Sequence, residues 1–182
     1  MNSRIHSLAI ASGDSIIGVG AIVADDGSTF FVPDGPDERA VGDSAVRMPL
    51  TGHFDAPPAV SWVSLRGTLI DEAIVVDTID SIERPTYPGE PVLRITGSAG
   101  TSWSNDALLV AVEKSESDLR SASGAYRDSN GTLVLTLHYL YLDRGVCEWL
   151  ARPHPGPLEV WVAIRPATPG VATAAQNEYD SQ

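Results

Sequence analysis

Residues 16–32 read IIGVGAIVADDGSTFFV, and this stretch decides the fold. Ile17, Val19, Ala21 and Val23 share one side of an extended chain, and Ile16, Gly18, Gly20 and Ile22 share the other. Alternation of period two is the signature of a strand rather than a helix. Asp25-Asp26-Gly27-Ser28 separates this run from Thr29 to Val32. Asp-Gly between two apolar runs predicts a tight hairpin, because both residues tolerate positive φ. Gly18 and Gly20 inside the strand predict a bulge or sharp bend.

The same rhythm continues outward. Ala45 to Phe54, Val60 to Ile70 and Ala73 to Ile79 read as strands, the last two joined by a turn at Asp71-Glu72. Pro85, Pro88 and Pro91 interrupt the chain within 83–91, where proline's missing N–H forbids a central strand. Beyond it, Val92 to Thr96, Ala107 to Glu113, Thr132 to Leu142 and Glu159 to Ile164 are the expected strands. Asn130-Gly131 predicts a type I′ turn leading into the third of these. That strand is apolar on both faces, as one covered on both sides would be. Short helical turns are expected only at Ser117 to Tyr126 and Val146 to Ala151.

The expectation is an all-β protein built as an antiparallel β-sandwich or jelly-roll-like domain over 1–167, with a flexible tail at 168–182. The alternative is two small β lobes divided at 83–91, the first of them OB-like.

Charge narrows the partners. The chain of 182 residues carries 12 basic and 24 acidic side chains, a net charge of −12, with Lys114 its sole lysine. Such a charge repels nucleic-acid phosphates and anionic lipid, so neither partner is expected. No apolar run approaches the ~20 residues of a membrane span, and the first residues carry no secretory pattern. Cys147 stands alone and cannot form an internal disulfide. A cytoplasmic or intracellularly assembled protein is expected.

No catalytic constellation emerges. Cys147 lies beside Glu148, and a carboxylate opposes thiolate formation. His6, His53, His138 and His154 show no zinc spacing. His53 with Asp55, and His138 between leucines and tyrosines, are the imidazoles an enzyme would use, although a strand-end scaffold role for His53 and a hydrogen-bonded core role for His138 are the default readings. His154 between two prolines reads as loop scaffolding. Asp34, Asp37, Glu38 and Asp43 gather oxygens without a calcium-loop ladder, and Asp77 and Asp80 fall on opposite faces of a strand. Gly18-Val19-Gly20 lacks the third glycine and helix of a nucleotide fingerprint. No cofactor or metal site is assigned.

The candidate ligand- or partner-binding residues are Trp62 and Arg66, on the wetter face of their strand, and Trp103, in the polar loop Gly100 to Asp106, the more frequent reading of such tryptophans being partly buried packing. The leading expectation is a non-enzymatic structural or interaction protein, a subunit docking into a larger multi-protein assembly such as a phage particle. Its partner is another protein or itself. The alternatives are a carbohydrate- or small-molecule-binding β module, and an enzyme pairing a histidine with a carboxylate.

Overall fold

The computed structural model describes residues 2–33, 46–55, 61–83, 85 and 90–167. Their elements, in chain order, are α1 (Asn2–His6), β1 (Ser15–Asp25), β2 (Ser28–Val32), β3 (Met48–Thr51), β4 (Ser61–Ile70), β5 (Ala73–Ser81) and β6 (Leu93–Ile95). There follow α2 (Asn105–Lys114), β7 (Arg120–Arg127), β8 (Leu133–Tyr139), α3 (Arg144–Leu150), β9 (Leu158–Val162) and β10 (Ile164–Pro166). The chain is all-β in character, with two separate sheets of six and four strands. It divides into two compact units: residues 10–84 with 164 onward, and residues 1–9 with 85–163.

The first unit is a closed ring of strands. β1 pairs with β2, β2 with β3, β3 with β5, β5 with β4, and β4 again with β1. All contacts are antiparallel except β3–β5, where Leu50 meets Ile74 and Thr51 meets Val75 in parallel. This ring order is that of an OB-like barrel. β10 adds a further antiparallel pairing to the start of β1, with Ile16 opposite Pro166. Closure leaves the ring without free edges over most of its length.

Two type I′ turns shape the ring. Asp26 and Gly27 hold φ of 45° and 78° between the paired residues Asp25 and Ser28. Asp71 and Glu72, at 44° and 65°, do the same between Ile70 and Ala73. β1 keeps an unbroken register with β4, so its glycines make no bulge; the register shift lies between Arg66 and Gly67 on β4. The reason is volume. A Cβ on Gly20 would stand 2.5 Å from both the ring of Phe31 and the carbonyl oxygen of Val32. Phe31, fully buried, fills the barrel where β1 has no side chains.

The second unit is a four-stranded sheet in the order β6-β9-β8-β7. β8 and β9 run parallel, so their connection crosses over through α3. One face of the sheet, from Leu135, Leu137 and Tyr139 on β8 and Leu158, Val160 and Val162 on β9, packs in one core with Ile5, Ala111, Val146, Cys147 and Leu150 of the helices. The opposite face carries Thr136, His138, Glu159 and Trp161.

Local chemistry explains two departures from expectation. Residues 107–113, read as a strand, belong to α2. Ser104 accepts a hydrogen bond from the N–H of Ala107 and caps a segment rich in alanine and leucine. Residues 117–126, read as helical turns, form most of β7, which exists because β8 supplies its ladder. The short helix expected at 146–151 is α3, capped by Asp143 through the N–H of Val146. The Asn130-Gly131 turn is not type I′. Only Gly131 has positive φ, 78°, and Asp128 closes a three-residue loop onto Thr132.

Candidate functional site

Trp62 and Arg66 lie on β4 of the barrel, on residues that alternate with the buried Val63 and Leu65 and therefore face outward. Trp62 is partly buried opposite Ala21; Arg66 is exposed opposite Ile17 and Thr78. Trp103 belongs to the other unit and is only 6% exposed. Its indole N–H donates to the carbonyl of Pro157 at 2.8 Å, and its ring presses on Gly156, where a Cβ would come within 2.4 Å of it. Trp103 is therefore interior scaffold, which corrects the reading of it as an exposed stacking residue. Its polar neighbours serve the backbone: Thr101 donates to the carbonyls of Ser98 and Pro155, and Ser104 caps α2.

The titratable side chains are dispersed. His154 is buried beside Trp103 and Trp149, with ring centroids 6.3 and 4.7 Å away, and its Nε2 lies 3.3 Å from the carbonyl of Leu150. Burial lowers its pKa. His138 stacks on Trp161 at 4.9 Å with planes 8° apart. The Cys147 thiol is wholly buried and donates to the carbonyl of Ile5. Burial, reinforced by Asp143, pushes its pKa up to about 11. His53 and Asp55 are exposed. Among the described residues no three His, Cys, Asp or Glu gather as metal ligands, and no helix is long and apolar enough to cross a membrane. The acidic stretch 34–43 lies outside the described residues.

Two features of the surface remain. On the barrel, a shallow depression of about 460 Å³ is lined by Phe30, Pro49, Thr51, Phe54 and the β1–β2 turn. Arg47 sits 4.3 Å over the Phe30 ring and 2.7 Å from Asp25, a cation–π contact with its charge already paired.

The second is the outer edge of β7, which pairs with no strand among the described residues. The N–H of Asp128 donates to the carbonyl of Thr132, and this sets the phase of the β7–β8 ladder. Tyr126–Val134, Gly124–Thr136 and Ala122–His138 are then its hydrogen-bonded pairs. The N–H and C=O groups of Ser123, Ala125 and Arg127 point away from β8. Every large side chain on this strand is drawn back from the edge. Tyr126 reaches across the sheet to Glu159 (3.0 Å), which also pairs with Arg94. Arg120 bonds the carbonyl of Val112 and Oγ of Ser115 at the end of α2, and Arg127 bonds the carbonyl of Gly131. Between Arg120 and Tyr126 stand only Ser121, Ala122, Ser123, Gly124 and Ala125, the last four exposed.

Sequence reasoning missed this edge because it had read the segment as helical. Its signal is the run of small residues from Ser121 to Ala125. No protein-family model, no curated protein and no solved structure matches the chain.

Proposed function

We propose that this chain is a non-enzymatic interaction protein, a subunit of a multi-protein assembly built inside the cell, which docks by strand addition at β7. The observation that carries the reading is the outer edge of β7, which pairs with no strand among the described residues and turns the backbone groups of Ser123, Ala125 and Arg127 outward. Exposed edges are ordinarily blunted by lysine, proline or shortness, because they template pairing with other chains. This edge has neither lysine nor proline, and its arginines and its one irregularity lie at its ends, leaving Ser123 to Ala125 without either. An added strand would gain main-chain hydrogen bonds at Ser123, Ala125 and Arg127, and small residues on both faces leave room for its side chains.

The test uses the full chain as bait beside the variant Ala125→Pro. Proline removes an N–H that points outward and leaves the β8 ladder intact. Retention of a protein partner, including further copies of the chain, should fall with the variant. The amides of Ser123, Ala125 and Arg127 should gain protection from hydrogen exchange in the complex. Absence of any association that depends on this edge refutes the reading.

The depression at Phe30 and Phe54 favours a second reading, a module for a neutral saccharide or other small uncharged molecule. Aromatic rings beside Ser28, Thr29 and Thr51 suit a sugar ring. Titration calorimetry against a sugar panel, with binding lost in Phe30→Ala, is its test. Heats that do not distinguish the variant remove it.

A further inference from the structure

We propose that the outward face of β2, β3, β5 and β4 docks a short apolar segment of a partner protein, flanked at both ends by basic residues. This surface lies on the barrel and is separate from the β7 edge. It gives the depression at Phe30 and Phe54 an occupant other than a sugar.

Strand register builds the surface. Phe30 on β2 pairs with Pro49 on β3, and Ile70 on β4 pairs with Ala73 on β5. Leu50 pairs with Ile74 in parallel, so one step back sets Pro49 level with Ala73. Phe30, Pro49, Ala73 and Ile70 therefore form one apolar row across four strands, each beside a buried neighbour of the opposite face. In a second row Thr51 pairs with Val75, and Val75 with Thr68. Ile70 is 40% exposed and Val75 37%. They are continuous with the depression rather than isolated: a Cβ on Gly52, which lines it, would lie 3.9 Å from Val75 Cγ1. Four strands span about 14 Å, the reach of about four extended residues.

Charge states what the partner carries. Residues 10–84 hold thirteen acidic side chains against four arginines, whereas residues 85–163 hold nine against six basic ones. Exposed acids stand at the corners of the two rows: Asp71 and Glu72 in the turn beyond Ile70, Asp26 in the turn beyond Ser28, and Asp77 past Val75. None of these four forms an ion pair with a described residue. Arg47, over Phe30, is already matched by Asp25. Arg66 lies farther along β4, past Thr68 and outside both rows. A segment ending in acids would set like charges together, whereas lysines or arginines at its ends meet the corner carboxylates.

The experiment titrates the full chain with labelled synthetic peptides, followed by fluorescence anisotropy. A core of about four valines and leucines between pairs of lysines should bind. The same core between pairs of glutamates, and a serine-glycine core between pairs of lysines, should each bind at least about tenfold more weakly. Ile70→Ser with Val75→Thr should raise the dissociation constant of the first peptide at least about tenfold. Asp71→Asn with Glu72→Gln removes two charges while asparagine still suits the turn. It should weaken the first peptide several-fold, and added salt should act in the same direction. Ala125→Pro should leave that peptide unaffected. Each variant should keep the parent's far-ultraviolet circular dichroism spectrum; if one misfolds, the other decides together with the peptide contrast.

Equal affinity for the three peptides overturns the proposal, as does affinity indifferent to Ile70 and Val75, or no binding at about 1 mM peptide. Binding lost with Ala125→Pro but kept in the Ile70 and Val75 variant overturns it and leaves the β7 reading standing. A sugar held in the depression while the peptides are ignored overturns it in favour of the saccharide reading.

Discussion

Two glycines on the same face of β1 should respond unequally to a single methyl group. At Gly20 a Cβ would stand 2.5 Å from Phe31 Cζ and 2.5 Å from the Val32 carbonyl oxygen. One of these is backbone in a paired strand and cannot yield cheaply. At Gly18 the nearest atoms are Phe31 Cζ at 3.3 Å, then Ile164 Cγ1 and Leu65 Cδ1 at 3.4 Å, all side-chain atoms able to move a few tenths of an ångström. Overpacking a core costs about 1–3 kcal/mol, and Gly20→Ala should show a cost of that order. At roughly 2–4 °C per kcal/mol for a chain of this size, the melting temperature should drop by about 2–12 °C. Gly18→Ala gains about 0.4–1 kcal/mol from a stiffer unfolded chain, which offsets its mild crowding, and should fall within about 1 kcal/mol of the parent. Urea and thermal unfolding followed by circular dichroism measure both. The double variant Gly20→Ala with Phe31→Leu should recover only part of the loss, since the carbonyl contact persists. Equal stability of the two alanine variants, or a worse outcome at Gly18, would refute the claim that Phe31 occupies the space these glycines vacate.

Two further outcomes follow from the buried groups of the other unit. Burial lowers the pKa of His154 below its usual value of 6.5, so between the two values the unfolded chain holds a proton that the folded chain does not. Stability is then complete above about pH 6.5 and declines as acid carries the pH below it. Urea midpoints at about pH 7.5 and about pH 5 should differ more for the parent than for His154→Gln, and equal differences would sink the assignment. Cys147, with its pKa raised to about 11 and no exposure, should ignore a thiol reagent in the native state and react once denaturant is added. Rapid labelling of the folded chain contradicts its placement.

Much of the barrel was legible because its information is local. Alternation in residues 16–23, Asp-Gly at 26–27 and Asp-Glu at 71–72 each specify geometry within a few residues. Closure was not legible in the same way, for the pairing of Gly20 with Val63 and of Leu50 with Ile74 joins distant segments. α2 escaped because Ala-Leu-Leu-Val-Ala-Val is apolar around the whole helix: Leu109 is 70% exposed and Ala111 buried, so no stripe of helical period marks it. β7 was misread for the converse reason, as its serines and alanines carry little β preference of their own and β8 imposes their conformation. Trp103 shows how local polarity misleads. Thr101 and Ser104 spend their hydroxyls on the backbone, and the ring between them turns inward. Trp62 and Arg66 face outward on the barrel, as their alternation implied.

The order in which residues leave the ribosome gives the two-unit connectivity a consequence in time. Strands β1 to β5 emerge together and can close their ring while most of the second unit is unmade. The opening helix must wait. Ile5 accepts its hydrogen bond from Cys147, 142 residues later, and so remains without its packing partner through most of synthesis. β10 comes last and joins a ring already formed. A released chain ending at residue 84 should therefore yield a protease-resistant barrel with a frayed leader, whereas one ending before residue 144 leaves the sheet of the second unit without its crossover helix.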